Sequence, residues 1–170
     1  KEKKIDIIIN CFVDQNYLPF EKQTLKKFQN SITTNICGTF LVTKTFYSLL
    51  KKSKDPQIIN FGSIYGLVSG DPKIYPNQKV TSDAYAASKA AIIQLTKYYA
   101  VNLNKYNIRV NCVSPGGIFN NQNTKLIKNY IKKVPLKRMA NINEIVESVK
   151  LLLNNKSRYI NGHNLVVDGG

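Results

Sequence analysis

Four short apolar runs punctuate the chain: Ile5 to Asn10, Gln57 to Phe61, Ile108 to Val113 and Asn164 to Val167. Each is rich in β-branched residues, as in strands buried on both faces of a parallel sheet. Between the first two, Leu25, Phe28, Ile32, Ile36, Phe40, Thr43, Phe46 and Leu50 recur at three- and four-residue steps. That spacing predicts one long amphipathic helix, or two abutting ones, from Glu21 to Lys52, ended by Asp55-Pro56. Ile92, Ile93, Leu95, Thr96, Tyr99 and Leu103 predict a second helix from Asp83 to Lys105, with Thr81, Ser82 and Asp83 as candidate caps. A third helix is expected around Thr124 to Lys133, closed off by Pro135. Asn141 with Glu144 reads as a capping box, opening a fourth helix whose buried face carries Ile142, Ile145, Val146, Val149, Leu152 and Leu153. Strand and helix alternating in this way predict an α/β fold, a doubly wound parallel sheet with right-handed crossovers, in one domain over residues 1–170. Such sheets bind ligands outside the carboxyl ends of their strands, where Asn10, Ser63 and Pro115 fall.

Composition narrows the picture less than it first promises. The 25 Lys and Arg against 10 Asp and Glu give a formal charge of +15. Such an excess suits a solvated surface, an acidic substrate or nucleic acid. All the cations except Arg109, Arg138 and Arg158 are lysines spread along the chain, without an aromatic-studded stripe, so solvated surface is the expected reading and no nucleic-acid partner is expected. No apolar run is long enough to span a membrane and no secretory signal is visible, so a cytoplasmic protein with no membrane partner is expected. Cys11, Cys37 and Cys112 form no Cys-x-x-Cys pair and are expected to be reduced and mostly buried; with His163 as the single histidine, no metal site is expected.

The candidate chemistry lies between Ile58 and Lys89. Ser63 ends a strand, and Tyr85 and Lys89 stand one turn apart on the next helix, so an ammonium can sit beside a phenol. A cation favours the phenolate of a tyrosine, whose ordinary pKa is about 10, and so equips it for acid-base work. Downstream, Ser114-Pro115-Gly116-Gly117 stops a strand with a loop almost bare of side chains, where a ligand can approach the backbone. A serine at a strand end also caps turns, and Asn10 and Asn35 also bond backbone readily.

Taken together, these motifs resemble the short-chain dehydrogenase/reductase family over essentially the whole chain. They are Asn10 after a buried strand, Asn35 in a helix, Ser63 in NFGSIYG, Tyr85-Ala-Ala-Ser-Lys89, IRVNCVSPGGI from Ile108 to Ile118, and the terminal NLVVDGG. The resemblance implies a Rossmann-like sheet, incomplete, with its last four strands and their helices. It implies NAD or NADP as cofactor and interconversion of a carbonyl and an alcohol on a small-molecule substrate. Tyr85 would be the general acid-base, with Ser63 bonding the same substrate oxygen. Lys89 would hold the nicotinamide ribose and lower the Tyr85 pKa, and Asn35 would anchor a water in a relay to Lys89. Pro115, Gly116 and Ile118 would face the nicotinamide, and Asn10 would lie toward the adenosine ribose. A homodimer or homotetramer through the 21–52 and 83–105 helices is also implied.

Departures from the family pattern carry their own expectations. Cys11-Phe12-Val13 stands where Asn-Ala-Gly is usual, making a cofactor-side loop bulkier, and Asn120 replaces a usual threonine. The Ser63 to Tyr85 interval is longer than usual, so Asp71 to Thr81 reads as an inserted loop at the cleft. That length resembles members found in bacterial surface-sugar pathways, which points toward a sugar or sugar-nucleotide substrate. The basic segment Lys125 to Arg138 falls where the family has its substrate lid, which suits a phosphorylated substrate if its charge is not merely solvated. The family's opening strands and Gly-x-x-x-Gly-x-Gly turn have no counterpart here, an interval of roughly 70 to 90 residues at about 30 per βαβ unit. These 170 residues alone are therefore expected to bind dinucleotide poorly and to associate. The alternative is a truncated pseudoenzyme or assembly module.

Overall fold

The structure is a computed structural model and describes residues 3–76 and 80–170. Residues 77–79 of the inserted loop lie outside the described residues. Four strands, β1 (Ile7–Asn10), β2 (Gln57–Phe61), β3 (Arg109–Pro115) and β4 (Asn164–Val167), pair in the order β1-β2-β3-β4. Every pairing is parallel, with Ile9 beside Ile59, Asn60 beside Cys112, and Pro115 beside Val167. The expected doubly wound α/β sheet is therefore present.

Alternation along β2 and β3 sends side chains into two separate cores. On one face Ile58 and Val110 pack with Ile8, Leu50, Tyr99 and Ala100. On the other Ile59 and Val113 meet Ile145 and Leu152. The first strand differs from the expectation of burial on both faces. Ile8 is buried, but Ile7 and Ile9 are each 45% exposed, because within these residues β1 is an edge strand covered on one side only.

The long amphipathic stretch resolves into α1 (Leu25–Ile32), a π-helical turn (Thr33–Cys37) and α2 (Gly38–Leu50), continuous in right-handed helical geometry. Thr24 caps the start, its hydroxyl accepting from the Lys27 N–H at 3.3 Å. The helix α3 (Asp83–Leu103) is capped by Ser82 and ends through a tight turn at Asn107 in the left-handed region. α4 (Thr124–Lys133) follows the Pro-Gly-Gly loop. α5 (Ile142–Leu153) opens on the expected capping box of Asn141 and Glu144, which Arg138 braces with two 2.6 Å hydrogen bonds. Among the described residues no helix is long and apolar enough to cross a membrane. Of the three cysteines only Cys112 is buried; Cys11 lies just past the end of β1 and Cys37 on the outer side of the π turn, and both are exposed.

Candidate active site

At the carboxyl ends of the strands the chain forms a cleft of about 980 Å³. β2 delivers Ser63 to its floor, with the residue 6% exposed and its Oγ accepting from the Tyr65 N–H at 3.1 Å. Ser63 thus does cap a turn, the plainer of its two sequence readings, and still lines the cleft. Gly66 closes that turn against α3: a Cβ there would lie 2.7 Å from the Lys89 carbonyl carbon. This close approach presses the Ser63 loop onto the helix that carries Tyr85.

Ser82 Oγ accepts from the Tyr85 N–H at 3.2 Å, so the cap fixes the residue that bears the phenol. Tyr85 and Lys89 are 7% and 4% exposed, with the Lys89 Nζ 5.6 Å from the Tyr85 ring centre. Lys89 Nζ donates to the Phe61 carbonyl at 2.7 Å. Burial lowers the Lys89 pKa to about 8, against the opposing pull of nearby Cys112 and Cys11. Burial also pushes the Tyr85 phenol up, while hydrogen bonds with Ser63 and Gln15 draw it back down. Within this chain the phenol is therefore not lowered as the Tyr-Lys spacing suggested. Desolvation outweighs the hydrogen bonds at Tyr85, and Lys89 loses much of its hold on a proton for the same reason.

The Pro115–Ile118 turn forms the opposite rim. Gly117 N–H donates to the Tyr130 hydroxyl at 2.6 Å, and a Cβ on Gly117 would lie 2.7 Å from the Tyr130 ring. Only a residue without a side chain lets α4 settle here. Pro115, Gly116, Ile118 and Asn120 all line the cleft with Ser63, Tyr85 and Lys89.

Two of the sequence candidates stand behind the cleft wall. Asn35 is fully buried in the π turn: its Oδ1 accepts from the Asp14 N–H at 2.8 Å, and its Nδ2 donates to the Asp14 carbonyl and to Ser88 Oγ. Its own carbonyl accepts from Thr39 Oγ1 at 2.8 Å. Ser31 Oγ donates to the Asp14 carboxylate at 2.7 Å, so the loop bearing Gln15 and Tyr17 is stapled to the α1 end of this helical stretch. Asn10 donates from Nδ2 to Asn60 Oδ1 at 2.9 Å and Asn60 passes the chain to Thr96; the buried Asn10 Oδ1 has no partner among the described residues.

Sequence reading passed over the tyrosines. Tyr17, Tyr65, Tyr75 and Tyr130 all line the cleft, and the Tyr65 and Tyr75 hydroxyls bond to each other. Their clustering brings together segments distant along the chain, which no local spacing reveals.

Comparison with known proteins agrees with this geometry. The family model described as Enoyl-(Acyl carrier protein) reductase matches residues 1–170. The ribulose-forming D-arabinitol 2-dehydrogenase of Candida tropicalis is 34% identical, over 99% of this chain and 60% of that protein. The 3-oxoacyl-(acyl-carrier-protein) reductase FabG of Buchnera aphidicola from Acyrthosiphon pisum is 31% identical, over 100% of this chain and 68% of that one. A crystal structure of a short chain dehydrogenase from Leptospira borgpetersenii with bound NAD+ superposes with a TM-score of 0.91 at 45% identity, covering 97% of this chain and 64% of that one. The chain belongs to the short-chain dehydrogenase/reductase family. It spans 59% to 61% of the length of the first three curated relatives it matches.

Proposed function

We propose that these residues form the catalytic side of an NAD- or NADP-dependent oxidoreductase that interconverts a carbonyl and an alcohol. The observation that carries the reading is the convergence of Ser63, Tyr85 and Lys89 in one cleft beside the Gly116–Gly117 rim. When bound, the nicotinamide cofactor supplies or accepts the hydride at the substrate carbon. A cleft rim of Pro115, Gly116 and Ile118 and a buried Lys89 ammonium are features that suit such a group. In this reading Lys89, Pro115, Gly116 and Ile118 hold it from the cleft lining, and Asn10 contributes from behind the wall. Bound NAD+ in a relative 45% identical supports the choice of cofactor.

In the reducing direction Ser63 Oγ donates a hydrogen bond to the carbonyl oxygen and Tyr85 transfers its phenolic proton to that oxygen. The carbonyl carbon gains hydride, the C–O π bond breaks, and a neutral alcohol leaves a phenolate behind. Oxidation reverses each movement, with the phenolate as base. Asn35 takes part as a positioning residue, tying the Asp14 loop to the helix that carries Tyr85. A sugar-like substrate fits the long Asp71 to Thr81 loop, and the D-arabinitol dehydrogenase relatives support it. Self-association through α2 and α3 is part of the same reading, supported by exposed Phe40, Leu41, Tyr98 and Val101.

The test is nicotinamide-linked turnover in the full-length protein. Tyr85→Phe keeps the ring and removes the proton donor, and is expected to lower turnover about a thousandfold while cofactor binding persists. Turnover retained in that variant would sink the assignment.

A further inference from the structure

Despite a formal charge of +15, Lys89 is the single charged side chain lining the cleft among the described residues. Its ammonium donates one hydrogen bond to the Phe61 carbonyl and stands beside Tyr85, at the reacting end of the cleft. The basic segment Lys125 to Arg138 does not supply others. α4 turns Leu126, Ile127, Tyr130 and Ile131 inward, while Lys125, Lys128, Lys132 and Lys133 are exposed. Lys133 is paired outward with Asp71 at 3.2 Å. An anionic group lying against the far wall would lose its hydration without a cation among the described residues there to replace it, which is costly for a carboxylate or phosphate.

The far wall offers hydroxyls in place of charge. Tyr65 and Tyr75 join hydroxyl to hydroxyl, and the Tyr75 hydroxyl stands 3.5 Å from Thr81 Oγ1. Each hydroxyl has one proton to donate and two lone pairs, so a joined pair still offers a donor and several acceptors. Burial, together with Tyr75, pushes the Tyr65 phenol up and keeps it a neutral donor. The wall is also held in place. Ile74 is buried with Tyr130, Val134 and Met139, and Asn129 Nδ2 donates to the Lys73 and Ile74 carbonyls at 3.2 and 3.4 Å. Tyr75 is thus presented without the entropic cost of ordering a free loop.

We propose that this cleft selects an uncharged, polyhydroxylated substrate, an open-chain polyol or its ketose, and that the Tyr65–Tyr75–Thr81 hydroxyls read the substrate hydroxyls beyond the reacting carbon. Every hydroxyl of a polyol both donates and accepts, matching a wall that does the same. Phosphate esters, aldonates and sugar nucleotides match it poorly. The proposal rests on the oxidoreductase reading above.

The experiment uses the full-length protein with saturating cofactor and four probes: D-arabinitol, its 5-phosphate, D-arabinonate and 2-pentanol. D-Arabinitol is expected to exceed both anions in kcat/KM by about a hundredfold, as desolvated polar mismatches discriminate. Tyr75→Phe retains the ring that packs beside Ile74 and removes one neutral hydrogen bond. It should lower kcat/KM for D-arabinitol about tenfold, mainly through KM, and leave 2-pentanol unchanged. Equal use of an anion, or an equal loss on 2-pentanol, would overturn the proposal. Should no alcohol turn over, the oxidoreductase reading fails by itself, and saturation-transfer NMR with the same probes then decides. D-Arabinitol binding that weakens in Tyr75→Phe, with no binding of the phosphate, upholds the selection; phosphate binding as tight as that of D-arabinitol overturns it.

Discussion

Two buried cations sit at opposite ends of the same sheet. Lys89 lies at the carboxyl end, 4% exposed, with one carbonyl acceptor and a pKa lowered to about 8. Arg109 opens β3 at the amino end, 7% exposed, and its Nη1 donates to the carbonyls of Leu152, Ser157 and Ile160. Burial lowers its pKa too, but a guanidinium starts so high that it keeps its proton. Arg109 therefore works as a permanent pin, gathering the end of α5 and the following turn onto the sheet. Lys89 is a cation that can be lost near neutral pH, in a cleft where a ligand's charge would change its state. The same physical cost is spent on rigidity at one end and on adjustability at the other.

That contrast can be attacked from both ends. The largest effect belongs to the adjustable end: Tyr85→Phe should lower turnover by about a thousandfold, within the range for losing a general acid-base, and leave the melting temperature nearly unchanged. At the pinned end, Arg109→Met strands three carbonyls and should cost about 3 kcal/mol in denaturant unfolding, with activity per folded molecule preserved. A matching loss of activity per folded molecule would break the division. Lys89→Met removes a buried cation. The folded Lys89 pKa lies below its unfolded value, so between about 8 and the ordinary 10.5 the unfolded chain binds more protons and stability rises with pH. The variant should thus melt higher than the parent at pH 7, and the gap should close as pH climbs through that window. A gap that widens there would contradict the sign. The smallest effect is Ser82→Ala, which removes the cap beneath Tyr85 and should cost about 1 kcal/mol by thermal melting.

Periodicity made the strands and helices readable because burial on a sheet or helix face leaves a local trace: Ile58 and Ile59 point into different cores, and the Asn141–Glu144 box was visible as spelling. The Tyr85–Lys89 spacing was legible for the same reason. What escaped depends on contacts distant along the chain. The exposure of Ile7 and Ile9 depends on which neighbours cover β1. Cys11 looks like a core residue from its apolar flanks, yet it falls just past the strand end, in the cleft wall. The Tyr85 pKa reversed its expected direction because spacing reports the neighbour and not the loss of water around both groups. Tyr65 and Tyr75 meet where Ile74 is anchored on α4, a contact distant along the chain.

The π turn at Thr33–Cys37 has a consequence for how this chain tolerates insertion and deletion. A π turn is one residue more than an α-helix needs, so removing Thr34 would let α1 and α2 join as an unbroken α-helix. The wide turn already absorbs the surplus residue, so the flanking helices would keep nearly their present phase and only the residues within the turn would be re-aimed. Asn35 would then leave Asp14 and Ser88 while Leu50 kept its core. The surplus residue therefore acts locally, aiming Asn35 at Asp14 and Ser88 without disturbing the helix on either side.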